Sequence, residues 1–236
     1  LLDKIKSHGY LPAVRTYGHY CAVAKALDVI GDRWALLIIR ELTIQGSCRF
    51  TDLQRGLPGI ATNLLTARLR DLERTGIVQR GDAPPPVATA LYSLTEAGTE
   101  LGPVLVALGR WGTRYMDAPS PAEQFRGHWL SFPVEQYLAD SEPDGRPLAI
   151  EVLVNDEAVV IDVADGTIAT RLGRSTHPDV VLEGGAPAVV GVLTGRLTDH
   201  EARALGLQVR GDLGVLRRLR RGWDAANLLA PAQLVE

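Results

Sequence analysis

RFTDLQRGLPGIATNLLTARLRDLERTGIV, residues 49–78, is the stretch whose reading decides the fold. Leu57-Pro58-Gly59 stops one helix, and a second is predicted to begin near Ala61 or Thr62, with Thr62 available as its cap. Along that second helix Leu65, Leu69, Leu72 and Ile77 recur at helical spacing and form an apolar stripe. Asn63, Thr66, Ala67, Arg70 and Arg74 project from the other side. Amide, hydroxyl, methyl and guanidinium groups on one flank suit a DNA major groove, which presents acceptors, donors and thymine methyls. Any amphipathic surface helix also has a polar flank, so the reading leans on its surroundings.

Downstream, Gly76-Ile77-Val78-Gln79-Arg80 reads as a strand, residues 81–86 as a turn, and Ala90-Leu91-Tyr92-Ser93-Leu94 as the returning strand. Helix, helix, hairpin is the order of a winged helix-turn-helix. Upstream, residues 22–30 predict a helix with Val23, Leu27 and Ile30 on one face, closed by Gly31-Asp32. Residues 33–44 predict a second helix, apolar almost all round, which should form the buried centre with Trp34 in the core. Phe50, Leu53 and Leu57 point inward from the first helix of the turn motif, and Arg49 at its start is placed to reach a phosphate. Residues 95–116 predict one long helix with Leu101, Val104, Leu105, Leu108 and Trp111 as its apolar stripe.

Cys21, IGDRWALLIIREL, RFTDL, LPGI, LTARLRDLERTGIV and YSLTEAG stand in one order between residues 20 and 116. Together they resemble the HxlR-type bacterial transcriptional regulators. That resemblance implies double-stranded DNA as partner and a homodimer formed by the first and last helices. Two recognition helices would then sit one duplex turn apart, roughly 34 Å, on a two-fold symmetric operator. Under it Thr62, Asn63, Thr66 and Ala67 face base edges, while Arg49, Arg68, Arg70 and Arg80 neutralise phosphates. Some members sense oxidants or electrophiles through a cysteine at the place of Cys21, usually followed by proline. Here Ala22 follows, and a sensor or a structural thiol are both open. Asn63 and Ala67 stand where relatives often carry longer polar side chains, so base preference does not transfer. The competing reading of the last helix is that it packs on its own chain and leaves a monomer.

At 236 residues the chain has room for two domains, each with its own core, and 46% hydrophobic content with 22% charge describes a globular protein. Charge is uneven. Residues 1–116 hold 14 Lys plus Arg against 10 Asp plus Glu, and residues 117–236 hold 11 against 18. A basic half answers a polyphosphate even when the whole chain is at −3. Two cysteines, Cys21 and Cys48, make neither a four-ligand metal cluster nor a secreted disulfide framework, so no metal and a cytoplasmic setting are expected. No apolar run approaches the roughly 20 residues that cross a bilayer, and no membrane partner is expected.

DAPSPAE, residues 117–123, marks a boundary, giving a winged helix-turn-helix domain over 1–118 and a second domain over 124–236. In the second, a helix is predicted over 129–140 and strands over 148–154, 158–163, 167–172 and 178–183, with Asn155-Asp156 and Asp165-Gly166 as hairpin turns. Val189-Val190-Gly191-Val192-Leu193 reads as a helix. The expected class is α+β, a mostly antiparallel sheet covered by helices. PDVVLEG, LTGRLTDHEARALGLQVRGDLGVLRRLRRGWD and their order resemble the sterol-carrier-protein fold over about 146–224. That likeness implies a tunnel between sheet and helices for a small apolar ligand, with Trp129, Tyr137, Val152, Val160, Val189 and Leu193 as lining. A solid core is the alternative. The pairs Arg217-Arg218 and Arg220-Arg221 read as a solvated helix face.

No Ser-His-acid order, phosphate loop or His-Glu-x-x-His helix appears, and the five histidines are scattered, so neither an enzyme nor a cofactor is expected. Two functions stay in view. One is a DNA-binding regulator tuned by a small hydrophobic ligand. The other is a lipid or metabolite carrier whose N-terminal domain dimerises or docks.

Overall fold

The computed structural model describes residues 16–82, 89–116 and 123–221. By its internal contacts the chain forms two compact units, Leu1–Gly102 and Pro103–Glu236. The proline-rich stretch expected to mark the boundary lies mostly outside the described residues.

In the first unit α1 spans Ala22–Ile30, α2 Ala35–Gln45, β1 Cys48–Arg49, α3 Phe50–Gly56, α4 Thr62–Arg74, β2 Val78–Asp82, β3 Ala90–Leu94 and α5 Glu96–Thr99. The core is the meeting of α2, α3 and α4. Ile38, Ile39, Leu53 and Leu65 are sealed from solvent, with Leu42, Leu57, Leu69 and Leu72 within 2% of it. Each such side chain contributes about 1.5–3 kcal/mol by leaving water. Gly59, at φ +87, makes the turn between α3 and α4. At the far end of α4 the N–H of Gly76 donates to Glu73 O (3.0 Å) and that of Ile77 to Leu72 O (2.9 Å), with Gly76 at φ +73. This pairing satisfies the last carbonyls and turns the chain straight into β2.

β3 lies between β1 and β2 in a three-stranded antiparallel sheet, Val78 opposite Leu94 and Asp82 opposite Ala90. β1 was not foreseen, since two residues carry no readable alternation. The expected hairpin turn at 81–86 falls mainly outside the described residues. Thr95 caps α5, its Oγ1 accepting from Gly98 N (3.1 Å) and donating to Gly76 O (2.6 Å). A Cβ on Gly98 would lie 2.2 Å from Ile77 O, so α5 touches the start of the wing through a bare backbone.

α2 is the buried helix expected, with Ala35, Ile38, Ile39 and Leu42 inside, and it buries Glu41 as well, held by Arg40 Nη2 (2.6 Å) and Gln45 Nε2 (2.7 Å). Two expectations for the N-terminal half are corrected. Trp34 is half-buried, at φ 80, with the Arg33 guanidinium 5.8 Å above its ring. The long helix over 95–116 is broken: α5 ends at Thr99 and α6 spans Gly102–Gly112. Pro103 accounts for the break, because it lacks an N–H and its ring would collide with the carbonyl of Thr99.

The second unit adds α7 Ser131–Tyr137, β4 Leu138–Asp140, β5 Leu148–Val154, β6 Glu157–Ala164, β7 Thr167–Leu172, β8 Val180–Glu183, α8 Ala186–Leu193, α9 Asp199–Ala204, β9 Gln208–Gly211 and β10 Leu219–Arg221. Five strands form one sheet in the order β7-β6-β5-β8-β9, antiparallel except for the β5–β8 pair. β10 pairs with β4 apart from it. Asn155, Asp156, Asp165 and Gly166 all sit at positive φ, the conformation two-residue hairpin turns require. One sheet face, with Ile150, Val152, Val154, Ile161, Val163, Val180 and Leu182, packs against Leu130, Val134, Ala188, Val189, Val192 and Leu193. The opposite face carries three ion pairs, Arg171–Asp162 (2.7 Å), Arg174–Glu151 (3.1 Å) and Arg210–Glu183 (3.7 Å).

Candidate functional site

α4 begins at Thr62, not with Thr62 as its cap. Ala61 holds the cap position and offers no side-chain acceptor. Instead Gln54 Nε2 of α3 donates to Thr62 Oγ1 (2.7 Å), which fixes the two helices of the turn motif to each other. Gln54 was not among the expected site residues; only its place eight residues before Thr62 would have pointed to it.

Asn63, Ala67, Arg70 and Arg74 follow one another at four, three and four residues, hence on one side of α4, and all four are exposed. Thr66 stands beside them, half-buried, its hydroxyl donating to Thr62 O (2.9 Å). Arg74 is held by Asp71 (2.8 Å). Arg70, Arg49 at the start of α3 and Arg80 on β2 are exposed, and among the described residues none of the three has a carboxylate within ion-pair distance. Arg49's own N–H is occupied, donating to Asp52 Oδ2 (3.2 Å), so its guanidinium is the part that can meet an external anion.

Arg68 departs from that set. It falls between Leu65 and Leu72 on the packed side of the helix, its side chain 21% exposed, and its Nη1 lies 2.7 Å from Asp32 and 3.0 Å from Asp71. A guanidinium bound by two carboxylates is not offered to phosphate, and the expected phosphate role of Arg68 is corrected on that ground.

The profile of the HxlR-like helix-turn-helix family matches residues 29–120. An uncharacterized HTH-type transcriptional regulator of Synechocystis is 38% identical over 103 residues, which cover 44% of this chain and 76% of that protein. The chain belongs to the HxlR-like helix-turn-helix family. It is a transcriptional regulator of that type. The uncharacterized HTH-type regulator YvaP of Bacillus subtilis is 37% identical over 93 residues, covering 39% of this chain and 85% of YvaP. Among solved structures, the reduced form of the transcriptional regulator YodB from B. subtilis is 31% identical, with 43% of this chain and all of that chain covered and a TM-score of 0.37.

Within this HxlR-type chain the two cysteines differ sharply. Cys21 is exposed at the cap of α1, and the backbone N–H groups of Ala24 and Val23 lower its pKa. Cys48 is buried; burial first, then the charges of Asp52 and Glu41, push its thiol up to about 12. Apolar side chains also stand in the open on two helices. They are Val23 (68%) and Leu27 on α1, and on α6 Val104, Leu108 and Trp111 (52%), followed by Tyr115.

The six residues expected to line an apolar tunnel do not come together. Val152, Val189 and Leu193 lie in one core cluster, each less than 8% exposed. Val160 pairs with Glu151 and so faces the other side of the sheet from Val152. Tyr137 is buried, its hydroxyl near Gly109 of α6, and burial raises its pKa. Trp129 stacks edge-on with Phe125, ring centroids 6.0 Å apart. A cavity of about 450 Å³ opens elsewhere, lined by Arg146, Leu148, Ala149, Asp162, Val163 and Asp179 among others. Its rim is charged, with Arg146 2.7 Å from Asp179. Arg218 is likewise no solvated residue. It is 4% exposed and binds both oxygens of Asp140, at 2.6 and 2.7 Å. Among the described residues no group of three or more His, Cys, Asp or Glu could hold a metal, and no helix is long and apolar enough to cross a membrane.

Proposed function

We propose that this regulator is a homodimer that reads a two-fold symmetric operator through α4 and is tuned by a small molecule bound in its C-terminal, sterol-carrier-like domain. The observation that carries the DNA contact is the exposed flank of α4, where Asn63, Ala67 and Arg70 share one side and Arg70 has no carboxylate partner among the described residues. Asn63, Ala67, Thr62 and Thr66 face the bases; Arg70, Arg49 and Arg80 neutralise phosphates. The exposed apolar faces of α1 and α6 support a second copy as their cover, because water-facing Trp, Leu and Val in such number are unusual on a monomer.

The C-terminal unit is the sensor in this reading. Its mostly antiparallel sheet with helices on one face supports the sterol-carrier likeness, and the cavity of about 450 Å³ is of a size that admits a small molecule. An effector regulates only if it favours one dimer geometry over another. The carrier alternative draws no support from these observations. In a gel shift of the full chain on duplex DNA, affinity should fall steeply as salt rises, and Asn63→Ala should change which duplex is preferred. Binding indifferent to salt, or an unchanged preference, would remove the roles assigned to α4. Small hydrophobic ligands titrated into the complex should shift operator affinity; no shift would remove the coupling.

A further inference from the structure

Asp32 stands in the turn between α1 and α2, next to Arg33 and to the left-handed Trp34. The turn has little freedom. Gly31 N donates to Leu27 O (2.9 Å), Ala35 N to Asp32 O (3.1 Å), and a Cβ on Gly31 would meet Leu27 O at 2.5 Å. From this fixed turn the Asp32 carboxylate reaches Arg68 in the middle of α4, and Arg68 also holds Asp71, which in turn holds Arg74. Four alternating charges thus run from the end of α1 along the recognition helix.

We propose that Arg68 and Asp32 are positioning residues that set the rotation of α4 against the α1–α2 turn, so that Asn63, Ala67 and Arg70 meet the groove as one set. This rests on the DNA-binding reading above. The apolar stripe of Leu65, Leu69 and Leu72 holds α4 in place but is compatible with small rotations about the helix axis, since aliphatic contacts have little directional preference. A guanidinium with a carboxylate on each side is directional and removes that freedom.

The experiment uses the full chain and the tightest duplex selected by the wild type from a random-sequence pool, with a scrambled duplex beside it. Arg68→Ala should lower affinity for the selected duplex about tenfold, the scale of one well-made bond to a base edge, while binding of the scrambled duplex and the slope of log K against log salt stay as in the wild type. Asp32→Asn, which leaves the Arg68–Asp71 pair intact, should give a smaller loss of the same kind. A residue that neutralises a phosphate behaves otherwise: its removal reduces the slope by about 0.9 per phosphate and weakens both duplexes alike. That result, or unchanged selectivity in Arg68→Ala and Asp32→Asn, overturns the proposal. A wild type that retains no duplex at any salt sinks the regulator reading itself, and this joint with it.

Discussion

The two units use their arginines differently. On the recognition surface Arg49, Arg70 and Arg80 stand exposed without carboxylate partners among the described residues, and only Arg68 and Arg74 are tied down. In the second unit Arg126, Arg146, Arg171, Arg174, Arg203, Arg210 and Arg218 all hold a carboxylate of their own unit. One residue type therefore serves two ends. At Arg49, Arg70 and Arg80 it is a positive field left for an external anion; at the seven positions of the second unit it is internal fastening, as it also is at Arg40 and Arg55 of the first.

Breaking the fastening should have the largest effect. Arg218→Ala leaves the buried Asp140 carboxylate without a cation, with only backbone N–H donors such as that of Glu142 (2.9 Å), so the second unit should lose about 10 °C in melting temperature, read by calorimetry. The same pair sets an acid limit. Its hydrogen bonds to Arg218 lower the Asp140 pKa to about 2 in the fold, against about 3.9 for a free side chain. A depressed carboxylate stabilises fully above the unfolded value and loses that contribution as pH falls through the folded one. Acid unfolding of the second unit should therefore gain a component between about pH 4 and 2 that Arg218→Ala lacks.

Arg70→Ala is the converse test. It should leave the melting temperature within about 2 °C while lowering affinity for every duplex and reducing the salt slope by about 0.9 for each phosphate no longer neutralised. An equal loss in Arg171→Ala, whose guanidinium is bound to Asp162, would erase the contrast between the units. Arg174→Ala should do less, shifting melting by no more than about 2 °C, because Arg174 is 60% exposed and Glu151 keeps the N–H of Ser175 (2.8 Å). The cysteines sharpen the picture inside the first unit. Near pH 7 an alkylating agent should modify Cys21 in the native protein and reach Cys48 only on unfolding, as resolved by peptide mass mapping.

What could be read ahead of the structure follows from where each signal resides. α1, α4 and β5 to β7 were legible because their information is local: a helical stripe at Leu65, Leu69 and Leu72, and turns at Asn155-Asp156 and Asp165-Gly166 that admit positive φ. Arg68 and Arg70 show the limit. They are two residues apart with the same chemistry, yet about 200° of helix rotation sends one to Asp32 and the other to solvent. Position relative to Leu65 and Leu72 would have separated them; residue type alone did not. The tunnel residues failed for a related reason. Whether Val160 joins Val152 depends on pairing register, and the two-residue turn sets Val152 opposite Val159, turning Val160 to the far face. Arg218 finds Asp140 across 78 positions, and no local pattern announces such a partner.

Gly98 has a consequence for how this chain tolerates variation. With the carbonyl of Ile77 only 2.2 Å from where a methyl would stand, the position admits no side chain without moving the root of the wing. In a saturation library selected for repression or activation, column 98 should be empty of everything but glycine. Exposed Thr99, one residue on, should accept most of the alphabet.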